Sequence, residues 1–183
     1  MKEFKFVLFV SITIICCNAQ NTKLIEKADN LKFIKAMPYN PQLSGDSIYW
    51  VVIIEGLDIV PYLIEKLDDT TSTEAIVPNF GGQYAVADIA YEAISTIIHE
   101  IPIKEIIETS DSSKQTGGYW FYWNYVNESI SNRIKLKEFV NDWYLNNQNS
   151  LIWVEYKRSF RSSSDWKFDK NIHPLGGYYY LKE

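Results

Sequence analysis

Apolar side chains recur at steps of three and four over residues 84–99, which is the period of an amphipathic α-helix. This first stripe comprises Val86, Ile89, Ala90, Ala93, Ile94, Ile97 and Ile98. Residues 58–68 have the same period, with Asp58 placed to cap a helix and Pro61 in its first turn. The second stripe comprises Ile59, Val60, Leu63, Ile64 and Leu67. The pattern therefore predicts two helices, joined by an unusually long connection over Asp69 to Gln83.

Other parts of the chain show weaker periodicity. Residues 22–36 are close to helical spacing, and residues 48–54 are β-branched but end at a glycine, which favours a helix there. Ser131 is predicted to cap another helix, with Leu136, Phe139, Val140, Trp143 and Tyr144 on one face. Residues 151–156 are either a strand or a packed extended segment.

Two groups of residues resemble the helices of a known structural repeat. They are Pro61, Leu63, Ile64, Leu67 and Asp69 in the first helix, and Val86, Ile89, Ala90, Ala93, Ile94 and Ile97 in the second. Together they resemble the two helices of a HEAT-type repeat of about 40 residues. The resemblance implies a mainly α fold, a short HEAT-like α-α superhelical stack closed by an irregular, aromatic-rich C-terminal segment. The chain also resembles secreted bacterial envelope proteins, and that resemblance implies no activity.

Residues 1–19 are predicted to be a signal peptide, because a weakly basic start precedes a short apolar run and small side chains. Cleavage would leave Gln20 first and residues 20–183 as a single domain. The alternative is lipoprotein processing at Cys16 or Cys17, which would give a lipid-anchored protein. The apolar run is too short to span a bilayer, so no transmembrane segment is predicted. We expect a secreted or periplasmic protein.

The net charge bears on the kind of partner, and the cysteine content bears on how the domain is stabilised. The formal net charge is −5, which argues against nucleic acid or anionic lipid as a partner. Both cysteines lie in the predicted signal peptide, so the mature domain depends on its apolar core without disulfides.

The connection between the two central helices is the first candidate binding region. A loop of this length in a compact domain is typically functional or disordered, and the commoner alternative is a surface loop with a packed end. Its candidate binding residues are Asp69, Thr71 and Glu74.

The aromatic run over residues 119–125 is the second candidate region. Trp120, Tyr122 and Trp123 are suited to stack on sugar rings or on an apolar patch of a partner, and the alternative is burial in the core. His173 and Tyr178 are candidates to lie beside them, unless that tail is simply a docked C-terminal segment.

Catalytic and metal motifs are not complete in this sequence. His99 and Glu100 match the start of a zinc-protease motif, but Ile103 stands where the second histidine is required. We therefore predict no catalytic residues, no metal and no cofactor. The predicted function is a protein-interaction module that binds another envelope or extracellular protein. The alternatives are a glycan-binding or glycan-hydrolysing protein with an aromatic platform and paired carboxylates, and a structural envelope component.

Overall fold

The computed structural model describes residues 20–38, 45–78, 81–107, 119–155 and 175–182, and for residues 119–121 it describes the backbone alone. The predicted signal peptide and His173 lie outside these residues. Within them the chain forms seven α-helices and five strands.

The helices occupy most of the described chain. They are α1 (20–29), α2 (Ser47–Ile53), α3 (Val60–Ile64), α4 (Val86–Ile97), α5 (Lys104–Ile107), α6 (Tyr119–Glu128) and α7 (Ile130–Asn147). Short 3₁₀ turns follow α1 (Asn30–Phe33), precede α3 (Gly56–Ile59) and follow α7 (Gln148–Ser150).

Local sequence signals explain where the helices begin and end. The Asp46 side chain caps α2 by accepting the Ile48 N–H at 2.9 Å. After α2, Gly56 adopts φ 59°, a conformation that glycine reaches without steric cost. The cap of α7 is Ser129, whose Oγ accepts the Asn132 N–H at 3.2 Å. The predicted cap, Ser131, was therefore wrong by two positions.

The strands form two small sheets. The first is an antiparallel hairpin of β1 (Ser72–Val77) and β2 (Gly82–Ala85). The second contains β3 (Ile98–His99), β4 (Leu151–Glu155) and β5 (Gly177–Leu181) in the order β3-β5-β4. Its central strand β5 runs parallel to β3 and antiparallel to β4.

The predicted HEAT-like stack is wrong, because the described chain is a mixture of helices and two sheets. The connection predicted as a long loop contains the β1–β2 hairpin. The C-terminal segment predicted as irregular contributes α6 and the central strand β5. In β1, buried Thr73, Ala75 and Val77 alternate with exposed residues, a period of two that belongs to a strand. The first predicted helix is also short, with only Val60–Ile64 in α-helical form.

Helix α4 lies at the centre of the core and confirms the helix predicted for residues 84–99 over Val86–Ile97, whereas the two residues at each end of that range belong to β2 and β3. Ile89, Ile94 and Ile97 are fully buried, and the helix packs against α2 and α3. Tyr49 on α2 also ties the two helices together, because its hydroxyl lies 2.9 Å from Thr96 Oγ1. Helix α4 therefore supports the residues at its N-terminal end from within the core.

Among the described helices, no single one is long and apolar enough to cross a bilayer. Ser47–Ile53 and Gly56–Ile64 would meet that requirement only as a pair, and they are bent by 106° at the break between them.

Candidate functional site

A pocket of about 340 Å³ opens between the β1–β2 hairpin and the helices α4, α6 and α7. The hairpin side is formed by Thr70, Ser72, Val77, Gly82, Gln83 and Ala85. The helical side is formed by Asp88, Trp123, Asn127 and Arg133. The volume is near the lower end of the range of ~300–1,000 Å³ that is typical of ligand pockets.

Asp88 joins the elements that surround this pocket. It lies in the first turn of α4 with 1% of its surface exposed, and its Oδ2 accepts the Ala85 N–H at 2.8 Å. Its Oδ1 accepts the Tyr122 hydroxyl at 2.9 Å and Arg133 Nη1 at 2.7 Å. One buried carboxylate thus connects α4 to α6 and α7 and holds the end of β2.

The Arg133 side chain crosses the helical side of the pocket. It is 7% exposed, against 2% for the side chain of Asp88, so the two charges form a buried ion pair. Arg133 Nη2 also lies 3.5 Å from Asn127 Oδ1. A buried pair requires good geometry and further hydrogen bonds to offset its desolvation, and Tyr122 and the Ala85 N–H supply such bonds to Asp88.

Two tyrosines enclose this cluster. Burial and then the negative charge of Asp88 raise the pKa of Tyr122 well above its usual 10.0, so the phenol stays protonated and donates to Asp88. Tyr91 stacks on Tyr122 with ring centroids 4.2 Å apart and planes at 9°. Burial raises the pKa of Tyr91 to about 12, against the opposing hydrogen bond with Ser95.

Two exposed amides line the mouth of the pocket. Gln83 Oε1 accepts the Ser72 hydroxyl at 2.9 Å, and Asn127 Oδ1 accepts from Arg133. Within the described residues, neither amide nitrogen has a hydrogen-bond partner. The amide oxygens are therefore engaged, and the N–H groups are available to a ligand.

The pocket is lined by residues of both strands of the hairpin. In the described chain the sheet has only two strands, so each strand has one edge that no other strand covers. The exposed side chain of Gln83 and the buried side chain of Val77 belong to opposite faces of the hairpin, and both line the pocket. The pocket therefore borders a hairpin in which each strand has an edge that no described strand covers.

The candidate residues of the predicted loop lie at the start of the hairpin. Asp69 Oδ1 accepts the Thr71 N–H at 3.0 Å, and the Asp69 carbonyl accepts the Ala87 N–H at 2.9 Å. These two residues flank Thr70, which lines the pocket. Glu74 lies on the exposed side of β1 and pairs with Lys35 at 3.1 Å, outside the pocket lining.

The aromatic candidates are divided between two regions. Tyr122 and Trp123 are buried, at 5% and 4% exposure, and Trp123 lines the pocket while packing edge-on against Tyr84 at 5.5 Å. Tyr178 is half-buried on β5, with its ring 4.5 Å from that of His99 on the neighbouring strand β3, and this second sheet does not line the pocket. The Trp120 side chain and His173 lie outside the described residues.

Sequence reasoning missed Asp88, Arg133, Asn127 and Gln83. A signal was present for Asp88, since it is an acid flanked by Ala87 and Ile89 within a strongly apolar stretch. No local pattern indicated its ion pair with Arg133, because the two residues are 45 positions apart.

In the ranges that the structure describes, no group of three His, Cys, Asp or Glu side chains is placed to hold a metal ion. Comparison of the chain with known protein families, curated proteins and solved structures finds no match.

Proposed function

We propose that this protein is a binding module that holds an extended segment of a partner protein in the pocket beside the β1–β2 hairpin. The observation that carries the proposal is that the pocket is lined by a two-stranded hairpin, in which each strand has an edge that no described strand covers. Edge strands are common sites for peptide recognition, since a peptide added there forms main-chain hydrogen bonds and places alternate side chains in adjacent pockets.

The surface next to the pocket also suits a protein partner. Ile130 and Ile134 lie one turn apart on α7, on either side of Arg133 in sequence, and are 54% and 42% exposed. Apolar side chains beside a polar pocket provide buried contact area, while the polar groups fix the register of the bound chain. The pocket itself, at about 340 Å³, accommodates a short stretch of a peptide rather than a folded element.

A protein partner fits the described residues better than a glycan. Stacking on a sugar needs an open aromatic face. Tyr122 has its ring covered by Tyr91, and Trp123 is only 4% exposed. These two rings therefore contribute to the core of the module and to the wall of its pocket.

We propose a location outside the cytoplasm on the basis of the predicted signal peptide. The partner would then be another envelope or extracellular protein. This part of the proposal depends on residues 1–19 and is independent of the pocket.

A bulky side chain at Gly82 tests the function without disturbing the core. A Cβ at Gly82 would meet no atom within 4 Å, so Gly82→Phe can project its ring into the pocket. The matched control is Asn146→Phe, which adds the same ring at an exposed position near the far end of α7.

Both variants and the wild type would be cross-linked in envelope extract and their captured proteins compared. We expect Gly82→Phe to lose a protein that the wild type and Asn146→Phe both retain. Hydrogen exchange at Gly82 and Gln83 should slow in the complex with that purified protein. Equal capture by all three forms, or unchanged exchange, would remove the pocket from the binding surface.

A further inference from the structure

The polar groups of the pocket are mostly donors. A guanidinium carries five N–H donors, and the contacts of Arg133 with Asp88 and Asn127 engage two of them. The amide nitrogens of Asn127 and Gln83 add further donors, as described above. The oxygens of Asp88, Asn127 and Gln83 already accept hydrogen bonds from the protein. A ligand that satisfies this pocket therefore brings hydrogen-bond acceptors.

The charge of the acceptor follows from the ion pair. Asp88 Oδ1 lies 2.7 Å from Arg133 Nη1, so the positive charge is already neutralised inside the protein. An anionic ligand on the remaining Arg133 donors would lose its hydration and lie close to the Asp88 carboxylate. A neutral acceptor gains the same hydrogen bonds without that repulsion.

We infer that the pocket recognises uncharged carbonyl groups of an extended peptide, bound by Arg133, Asn127 and Gln83. The inference rests on the proposed function and specifies which chemical group of the partner is recognised. Main-chain carbonyls are neutral acceptors and occur at every residue of a peptide laid along the hairpin. The site therefore selects a stretch of partner chain without acidic side chains or a free C-terminus at this point.

Short synthetic probes test the ligand chemistry directly. The first is the tripeptide N-acetyl-Ala-Ala-Ala-amide, which is uncharged, and the second is the same peptide with a free C-terminal carboxylate. The third is a neutral disaccharide. Each is titrated at millimolar concentration into isotope-labelled protein, and the NMR signals of the Asn127 and Gln83 side-chain amides are followed.

We expect the capped peptide to shift both amide signals, and to bind at least about tenfold more tightly than the carboxylate form, a difference of about 1.4 kcal/mol. Its affinity should not change with added sodium chloride, since no charge is neutralised on binding. Tighter binding of the carboxylate, a response to the disaccharide alone, or no response to any probe would overturn the inference.

A matched pair of variants tests whether binding of the capped peptide depends on Asn127. Asn127→Asp replaces a donor with an acceptor that also attracts Arg133, so the capped peptide should lose at least about tenfold in affinity. Asn124→Asp makes the same change at an exposed position three residues earlier on α6 and should bind like the wild type. Equal affinity of the two variants would contradict the inference. If Gly82→Phe loses its partner but the capped peptide does not bind, the ligand chemistry is wrong and the proposed function stands.

Discussion

Arg133 on α7 donates through Nη1 to Asp88 on α4 at 2.7 Å, across 45 residues of sequence. Both side chains are buried, and this contact fixes the start of the central helix against the helix that forms one wall of the pocket. The same carboxylate accepts the Tyr122 hydroxyl and the Ala85 N–H. Stability and the shape of the pocket therefore depend on one cluster of hydrogen bonds.

Arg133→Ala should lower the free energy of unfolding by about 3–5 kcal/mol, because it leaves the Asp88 charge buried without its partner. Urea melts followed by circular dichroism measure the change. The control is Lys35→Ala, which breaks the pair with Glu74, where both side chains are about 70% exposed (68% and 71%). An exposed pair contributes less than about 1 kcal/mol.

A double variant distinguishes the effect of an unpaired Asp88 charge on stability from the effect of lost packing. Asp88→Leu with Arg133→Met leaves no buried charge, so it should be less destabilised than Arg133→Ala alone. A double variant as unstable as the single one would mean that packing, rather than an uncompensated charge, explains the loss.

Tyr122→Phe should lower the free energy of unfolding by about 1–2 kcal/mol, because the buried Asp88 carboxylate loses the hydroxyl that donates at 2.9 Å. The ring and its stack on Tyr91 remain. Tyr62→Phe on α3 removes a hydroxyl from a half-buried ring and is the control, with an expected change within about 0.5 kcal/mol. Identical thermal melts of the two variants would show that the Tyr122 hydroxyl contributes nothing.

The elements that sequence predicts well are those whose apolar pattern is local. The stripe of α4 was unmistakable because Ile89, Ile94 and Ile97 face the core from a helix that is buried along most of its length. The helical interpretation of residues 48–54 was also confirmed, since α2 spans Ser47–Ile53. After that segment Gly56 indicated the end of a helix, and this signal was a better guide than the β-branched composition, which favours a strand.

The hairpin was missed because its alternation is made of weakly apolar residues. In β1 the inward positions are Thr73, Ala75 and Val77, and the outward Ile76 is 69% exposed. A prediction from hydropathy alone would therefore assign Ile76 to the core, although it lies on the exposed face of the strand. The pocket could not be predicted for a different reason, since its ion pair and its Tyr122 contact join residues that are 45 and 34 positions apart.

Alkaline pH should destabilise the protein through Tyr91. Its pKa is raised from 10.0 to about 12 in the folded state, chiefly by burial, so the native state favours the neutral phenol. The resulting stabilisation is complete below pH 10.0 and is lost as the pH rises toward about 12. Urea melts across this range should show the decline. Tyr91→Phe should decline less steeply from its own value at neutral pH, and an equal decline would exclude Tyr91 as the cause.

The exported protein should begin at Gln20 and carry no lipid, if the signal peptide prediction is correct. Mass spectrometry of the protein from its native host measures the N-terminus directly. A lipid-modified Cys17 as the first residue would contradict this prediction and place the module on a membrane surface. Cys17→Ser provides the control, since it blocks lipid attachment while leaving a small residue near the predicted cleavage point.

Gly177 on the central strand β5 leaves no room for a side chain. A Cβ added there would lie 2.5 Å from Trp153 Cζ2 and would also press against the Val154 carbonyl oxygen on β4. The Trp153 ring is 43% exposed and has space to move, but the carbonyl is fixed by the pairing of β4 with β5. Gly177→Ala should therefore lower the free energy of unfolding by about 1–3 kcal/mol.

Gly82→Ala is the matched control for this last substitution. It makes the same chemical change at a strand position where the new Cβ meets nothing within 4 Å. Its stability should stay within about 0.5 kcal/mol of the wild type, since the alanine also reduces the entropy of the unfolded chain. Equal denaturation midpoints for Gly177→Ala and Gly82→Ala would mean that β4 and β5 do not pack as closely as the Val154 contact requires. A loss of stability confined to Gly177→Ala would show that the close contact between β4 and β5 contributes to the stability of the fold.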